Sequence, residues 1–85
     1  MPIQRRKVNQ ELTEIQQQVY DYIIKYITEN GYAPSYREIS IDCKHGMGTV
    51  FEAIERLNHK RLIVSRKNSP RAIKVVGYKF VKDEQ

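Results

Sequence analysis

The side chains with the clearest chemical purpose in this 85-residue sequence are its lysines and arginines, because they are unevenly distributed. Residues 60–82 carry eight cations and no acid. The net charge of residues 13–59 is −3, and that of residues 1–12 is +2. The net charge of +5 therefore conceals an acidic body between two basic segments. A polyanion requires such clustering of Lys and Arg on its partner. The charge map favours contact with DNA or RNA, and a solvated basic hairpin is the alternative.

Other kinds of chemistry find little support. No nucleophile–base pair, carboxylate pair or phosphate-binding loop is recognisable, so we expect no enzyme. Cys43 cannot form an internal disulfide, and Cys43, His45 and His59 are too few and too irregularly spaced for zinc. We therefore expect neither a metal nor a cofactor, with Cys43 as a small buried hydrophobe. Without a long apolar run or a signal-like N-terminus, we expect a cytosolic protein and no membrane.

The cations need a folded scaffold, and its first predicted element is a helix. Thr13 followed by Gln16 matches a capping box, apolar residues then recur at helical spacing, and Asn30-Gly31 supplies a left-handed end. Residues 1–11 lack such periodicity. We expect them to form a flexible basic arm, and its cations are Arg5, Arg6 and Lys7.

The stretch from Ser35 to Leu57 predicts two further helices joined by a tight turn. Ser35 and Glu38 form a second capping-box pattern, and Pro34 keeps the preceding residue out of the helical region. Ile39 and Ile41 give the first helix of this pair its apolar pattern, which breaks at 44–48 and resumes in the next helix. Two helices so joined form a helix-turn-helix unit, whose second helix can enter a DNA major groove.

The outer face of that second helix is the candidate base-reading surface. Arg56 could contact guanine or phosphate, Thr49 could bond a base edge, and Glu52 could accept from cytosine N4. Charges that only solvate the helix are the alternative. Candidate contacts to the DNA backbone come from the helix starts, the turn and the basic segment: Ser35, Arg37, Lys44, His45, Arg66, Lys67 and Arg71.

Two β-branched runs close the predicted fold. Arg61–Ser65 and Ala72–Val76 flank a turn at 67–70, which describes a hairpin with a cationic tip. Three helices plus a C-terminal β-hairpin wing predict an α+β, winged helix-turn-helix domain over residues 12–76. Residues 77–85 would extend a strand or form a tail.

Three segments carry a resemblance to a known family: residues 12–39, 49–64 and 69–76. Their most specific parts are the run from Asn30 to Ile39 and the sequence Pro70-Arg71-Ala72-Ile73. Together they resemble the DNA-binding domain of LexA, the SOS-response repressor of bacteria. The resemblance implies a winged helix-turn-helix repressor that binds double-stranded operator DNA.

Three departures from the family pattern qualify this expectation. Gly46-Met47-Gly48 stands where family members carry small polar residues, so two potential reading side chains are absent. Phe51 and Glu52 also differ from the usual residues, and Arg61 replaces a glycine at the helix exit. The usual SOS operator is therefore not the expected target. An exposed Phe51 could instead anchor a protein partner, such as a host repressor or RNA polymerase.

The family's C-terminal half, with its Ser-Lys self-cleaving module and main dimer contacts, has no counterpart in these 85 residues. We therefore expect no self-cleavage. A homodimer through another surface, a monomer and a truncated larger repressor all remain open. A stand-alone regulator from a phage or mobile element would suit this arrangement.

Overall fold

The computed structural model describes residues 12–66 and 71–77. Its helices are α1, Glu14–Asn30; α2, Tyr36–Cys43; and α3, Met47–His59. They precede two strands, β1, Ile63–Ser65, and β2, Ile73–Val75. This order confirms the predicted winged helix-turn-helix architecture of three helices followed by a hairpin. The predicted arm, the turn at 67–70 and the segment after Gly77 lie outside the described residues.

The helix boundaries follow the capping signals in the sequence. Thr13 accepts the backbone N–H of Gln16, and the Gln16 side chain accepts the Thr13 N–H, so both halves of the capping box form at the start of α1. Gly31 ends α1 with φ of 84°, a left-handed conformation that costs glycine little. These termini confirm the predicted extent of α1.

The hydrophobic core lies where the three helices meet the inner face of the hairpin. Helix α1 packs against α2 and α3, and α3 also packs against β1. Val50 and Leu57 of α3 are completely buried, as are Ile23 of α1, Ile39 of α2 and Ile63 of β1. Every element thus contributes buried surface, which a domain of this size needs for stability.

One apolar residue of α2 does not join this core. Ile39 is completely buried, whereas the side chain of Ile41 is 64% exposed. Two residues apart on a helix point to nearly opposite sides, since each residue turns the chain by 100°. The sequence pattern that grouped the two isoleucines is therefore wrong for Ile41.

The hairpin is antiparallel and shorter than predicted. Ile63 pairs with Val75, and Ser65 pairs with Ile73. The first strand begins two residues after the predicted Arg61 because Arg61 still belongs to the exit from α3. Its φ is 61°, and its N–H donates to the Asn58 carbonyl over 3.0 Å. Arg61 thus adopts the left-handed conformation that a glycine would adopt more easily.

Within the described ranges, no helix combines the length and the apolar character that crossing a bilayer requires.

Candidate nucleic-acid interface

The predicted reading residues lie on the outward side of α3. Val50, Ala53, Ile54 and Leu57 are the buried residues of this helix. Glu52 and Arg56 are exposed, and Thr49 is half-buried nearer the helix start. The helix therefore offers a hydroxyl, a carboxylate and a guanidinium within two turns, which are groups that form hydrogen bonds with base edges.

An aromatic pair extends from this face to α2. The ring of Phe51 is 49% exposed, and its centroid lies 5.1 Å from that of Tyr36, at an interplanar angle of 62°. This is an edge-to-face arrangement, which aromatic quadrupoles favour. Tyr36 is the first residue of α2, so the pair connects the start of that helix to the middle of the exposed face of α3.

Two of the first three positions at the start of α3, Gly46 and Gly48, are glycines. Gly46 is the N-cap of this helix and makes no side-chain capping bond, and no acidic residue lies in the first turn. A Cβ atom added at Gly46 or at Gly48 would meet no heavy atom within 4 Å. Open space rather than crowding surrounds these glycines. A ligand can therefore approach the backbone of the first turn more closely than it could approach a substituted helix.

The turn between α2 and α3 is attached to α1. Lys44 ends α2 in a left-handed conformation with φ of 60°. The amide of Gln18 on α1 reaches both sides of the turn, since its nitrogen donates to the Cys43 carbonyl over 3.4 Å and its oxygen lies 2.8 Å from the His45 Nε2. The side chain of Ser40 also donates to the His45 carbonyl. His45 therefore has a protein partner, while Lys44 is exposed.

The start of α2 is fixed by a complete capping box. Ser35 Oγ accepts the Glu38 N–H over 3.1 Å, and a Glu38 carboxylate oxygen accepts the Ser35 N–H over 2.9 Å. This cap does not use the hydroxyl proton of Ser35. Arg37 is exposed in the same first turn. Both predicted contacts thus lie together at one helix end.

Arg71 makes a dense set of contacts within the protein. Its two terminal nitrogens each donate to a different oxygen of Glu38 over 2.8 Å. One of them also donates to the Ala33 carbonyl over 3.0 Å and to the Tyr26 hydroxyl over 3.4 Å. The guanidinium carbon lies 5.1 Å from the centroid of the Tyr32 ring, within cation–π range. We call Arg71 and Glu38 the wing clamp, because Arg71 lies two residues before β2 while Glu38 belongs to α2.

The wing clamp changes the protonation of both partners. Hydrogen bonds from the Arg71 guanidinium, and then from the Ser35 backbone, lower the pKa of the Glu38 carboxyl from its ordinary 4.5 to about 2. The same pairing raises the pKa of Arg71 above its usual value. Both groups remain charged at neutral pH, so the bidentate pair is fully formed there. The predicted phosphate contact of Arg71 stays a prediction, since its guanidinium is already used inside the protein.

The wing adds further cations. Arg66 is exposed directly after β1, and its backbone N–H donates to the Ala72 carbonyl over 3.2 Å. Lys74 is exposed on β2, opposite Val64. Lys67 and the arm residues Arg5, Arg6 and Lys7 lie outside the described part of the chain.

The structure places part of the predicted site on neighbouring elements. The Tyr36–Phe51 contact joins the start of α2 to α3, and the turn connects the two helices. Sequence reasoning missed Tyr36, Gln18 and the pairing of Arg71 with Glu38. The two partners of the clamp are 33 residues apart, and nothing in the local pattern of either one indicates the other. Glu38 gave the only signal, through its capping position.

These observations define a class of protein, the winged helix-turn-helix domain. Its helix α3, the second of the helix-turn-helix pair, presents a polar face and is followed by a cationic hairpin. The family model of the LexA DNA binding domain matches residues 9–72. This chain belongs to that family.

Curated relatives agree with the family assignment. The chain is 42% identical over 69 residues to LexA repressor 1 of Geobacter sulfurreducens, covering 80% of this chain and 34% of that protein. It is 40% identical over 68 residues to the LexA repressor of Staphylococcus epidermidis, covering 79% of this chain and 33% of the relative. It is 37% identical over 71 residues to the LexA repressor of Acetivibrio thermocellus, covering 81% of this chain and 33% of that protein. The chain therefore spans about a third of the length of these relatives.

Proposed function

We propose that this chain is a sequence-specific DNA-binding transcriptional regulator that represses its target genes. The carrying observation is the exposed polar face of α3 in a chain of the LexA DNA-binding family. In this proposal α3 lies in the major groove, where Thr49, Glu52 and Arg56 contact base edges. The names of the relatives, all LexA repressors, support repression as the sign of regulation. The bacterial cytosol or nucleoid would be its place of action.

Affinity and discrimination come from different parts of the chain in this proposal. Residues 13–59 carry a net charge of −3 and provide no net attraction for phosphate, whereas residues 60–82 carry a net charge of +8. Phosphate contacts position a protein on DNA, and contacts to base edges select the sequence. The backbone contacts are assigned to the start of α2, the turn, the wing and the arm: Ser35, Arg37, Lys44, His45, Arg66, Lys67, Arg71, Arg5, Arg6 and Lys7.

A homodimer on a two-fold symmetric operator is the arrangement that we propose for high affinity. A single small module buries roughly 600–1,000 Å² on DNA, which limits its affinity. Two copies would place their α3 helices in successive major grooves, about one helical turn apart. Footprinting on a selected operator measures this directly. Two half-sites separated by 10 to 11 base pairs are expected, and a single protected half-site would contradict the dimer.

Selection from random double-stranded oligonucleotides, followed by fluorescence anisotropy at several salt concentrations, tests the function itself. We expect a defined motif. Removing one phosphate-contacting cation should lower the slope of log affinity against log salt by about 0.9. Arg66→Ala and Lys67→Ala test the wing. Lys25→Ala is the matched control, because Lys25 is an exposed cation on α1 that pairs with Glu29. Selection without a motif would contradict sequence-specific binding, and an unchanged slope in both wing variants would contradict the wing assignment.

Arg71 needs a separate experiment, because it has two possible roles. If Arg71 positions the wing, then Arg71→Ala and Glu38→Gln should both weaken operator binding, since each breaks the same pair. If Arg71 contacts phosphate, Glu38→Gln should leave affinity unchanged or raise it by releasing the guanidinium, and only Arg71→Ala should reduce the salt slope. The contacts in the structure support the positioning role.

A further inference from the structure

We propose that Phe51 reads a base: its ring contacts the C5-methyl group of a thymine in the major groove, and Tyr36 holds the ring in place. This deepens the proposed function and depends on it, because it requires α3 to lie in the groove. Phe51 then sets specificity alongside Thr49, Glu52 and Arg56, through an apolar contact rather than a hydrogen bond.

The position of Phe51 on α3 supports this assignment. The exposed Glu55 follows it by four residues, so these two share one side of the helix, and the exposed Glu52 lies about 100° further round. Val50, which precedes Phe51, is completely buried in the core. Ile54, three residues further on, is buried as well, so Phe51 lies at the border between the buried and the exposed sides of α3. Half of its surface remains in contact with solvent.

Tyr36 gives the exposed ring a defined orientation. Its ring lies in edge-to-face contact with Phe51, and Tyr36 itself is half-buried at the first position of α2. A ring packed on one side loses less conformational entropy on binding than a side chain that is free on all sides. Tyr36 is thus a positioning residue for Phe51.

The glycines at the start of α3 leave room for the base that Phe51 would contact. Gly48 lies three residues before Phe51, on the same side of the helix. A Cβ atom at Gly48 would meet no heavy atom within 4 Å apart from its chain neighbours and the helix backbone, so Gly48 leaves open space at its own position. A groove edge can therefore approach α3 at this position more closely than it could if residue 48 carried a side chain.

The chemistry of the ring selects among the bases. A phenyl ring has no hydrogen-bonding group, and the thymine methyl is the apolar group that a base pair presents in the major groove. Protein-docking surfaces usually present a continuous apolar patch on the order of a few hundred Å². Met47, 41% exposed and four residues before Phe51, adds one apolar side chain, while Glu52 and Glu55 border the ring with charge. The surroundings favour DNA over a protein partner.

Deoxyuridine substitution isolates the methyl group, because it removes that group from thymine and leaves every hydrogen bond intact. Each thymine of the selected operator is replaced in turn, and affinities are measured by anisotropy. For the unaltered chain we expect about a fourfold loss at one or two thymines, as the burial of a single methyl-sized group predicts. At those positions, Phe51→Ala should bind the thymine and the deoxyuridine operators with equal affinity. At other thymines it should show the same losses as the unaltered chain. Phe51→Leu, which keeps an apolar side chain, should retain part of the preference.

Two Tyr36 variants test its positioning role. Tyr36→Phe keeps the ring and should preserve the methyl preference, whereas Tyr36→Leu should reduce it while leaving the salt slope unchanged. Val64→Ala is the control, because Val64 is a 50% exposed aliphatic residue on β1 and should change neither quantity. Circular dichroism confirms that each variant is folded.

The results separate this inference from the proposed function. A defined motif with methyl losses that are the same in Phe51→Ala and the unaltered chain overturns the role of Phe51 and leaves sequence-specific binding intact. The same holds if Phe51→Ala keeps every DNA affinity and instead loses a stoichiometric protein partner. Selection that returns no motif overturns both proposals.

Discussion

Helices α2 and α3 form one helix-turn-helix unit, but they begin in opposite ways. Helix α2 starts with the Ser35 capping box, and its Glu38 also holds Arg71 of the wing. Helix α3 starts at Gly46 with no side-chain cap and has a second glycine in its first turn. The start of α2 has a side-chain cap, whereas the start of α3 depends on the contacts of His45 in the preceding turn and on what α3 buries further along. In the proposed complex, the helix start with fewer side chains is the one that enters the major groove.

Leu57→Ala should produce the largest change, because α3 depends on packing rather than on a cap. Leu57 is completely buried, and truncating such a residue typically costs about 2–5 kcal/mol of unfolding free energy. Urea denaturation measures this loss. Glu55→Ala, at an exposed position of the same helix, should change stability by less than about 0.5 kcal/mol. Comparable losses in the two variants would mean that burial is not what holds α3.

Acid should weaken the start of α2 and its link to the wing. The pKa of Glu38 falls from 4.5 to about 2 on folding, so the folded chain binds this proton less tightly than the unfolded chain. The resulting stabilisation is complete above about pH 4.5 and is lost as the pH falls toward 2. Urea denaturation across this range should show a smaller decline for Glu38→Gln, which has no carboxyl at this position to titrate. Parallel curves for both proteins would contradict the contribution of the clamp.

Ser35→Ala should lower the unfolding free energy by about 1 kcal/mol, since it removes the side-chain acceptor at the N-cap of α2. The reciprocal change, Gly46→Ser, adds a possible cap to α3 and should stabilise by only a few tenths of a kcal/mol, because glycine is itself an acceptable N-cap. Both values come from chemical denaturation. If Gly46→Ser instead lowered the unfolding free energy as much as Ser35→Ala does, glycine at the N-cap of α3 would be required for stability.

Gly48→Ala should change stability less than Ser35→Ala does and in the opposite direction, with a gain of roughly 0.5 kcal/mol. Gly48 is helical, and the added methyl group meets open space, so alanine mainly restricts the unfolded chain. Gly77→Ala is the matched control. At φ of 85°, alanine there is strained and should destabilise the fold. If Gly48→Ala is destabilising as well, the first turn of α3 is less regular than its helical conformation indicates.

Much of the fold could be read from local patterns, because capping and turn residues act within a few positions of themselves. The capping boxes at Thr13 and Ser35 and the left-handed exit at Gly31 all lie where the sequence predicted them. The hairpin was predicted in the right place but too long. Arg61 adopts a left-handed conformation that its residue type does not suggest, so the first strand begins two residues later than predicted.

The candidate site divides in the same way. Helical periodicity alone placed Thr49, Glu52 and Arg56 on the outer face of α3, and their roles toward DNA stay predictions. Ile41 is a different case, because two residues turn a helix by about 200° and helical periodicity itself separates Ile41 from Ile39. Periodicity could not show that Arg71 meets Glu38. It also could not show that Phe51 packs on Tyr36, because that contact requires the crossing of two helices.

The sequence by itself determined the order of the elements, where the helices begin, the face that α3 buries and the cationic character of residues 60–82, because each depends on neighbouring residues or on composition. The tertiary structure alone decided which distant groups meet. It paired Arg71 with Glu38 across 33 residues, attached the turn to Gln18 and placed Tyr36 beside Phe51. A bidentate ion pair or a ring contact depends on distances of a few ångströms between elements, and those distances are set only when the helices and the hairpin pack around their shared core.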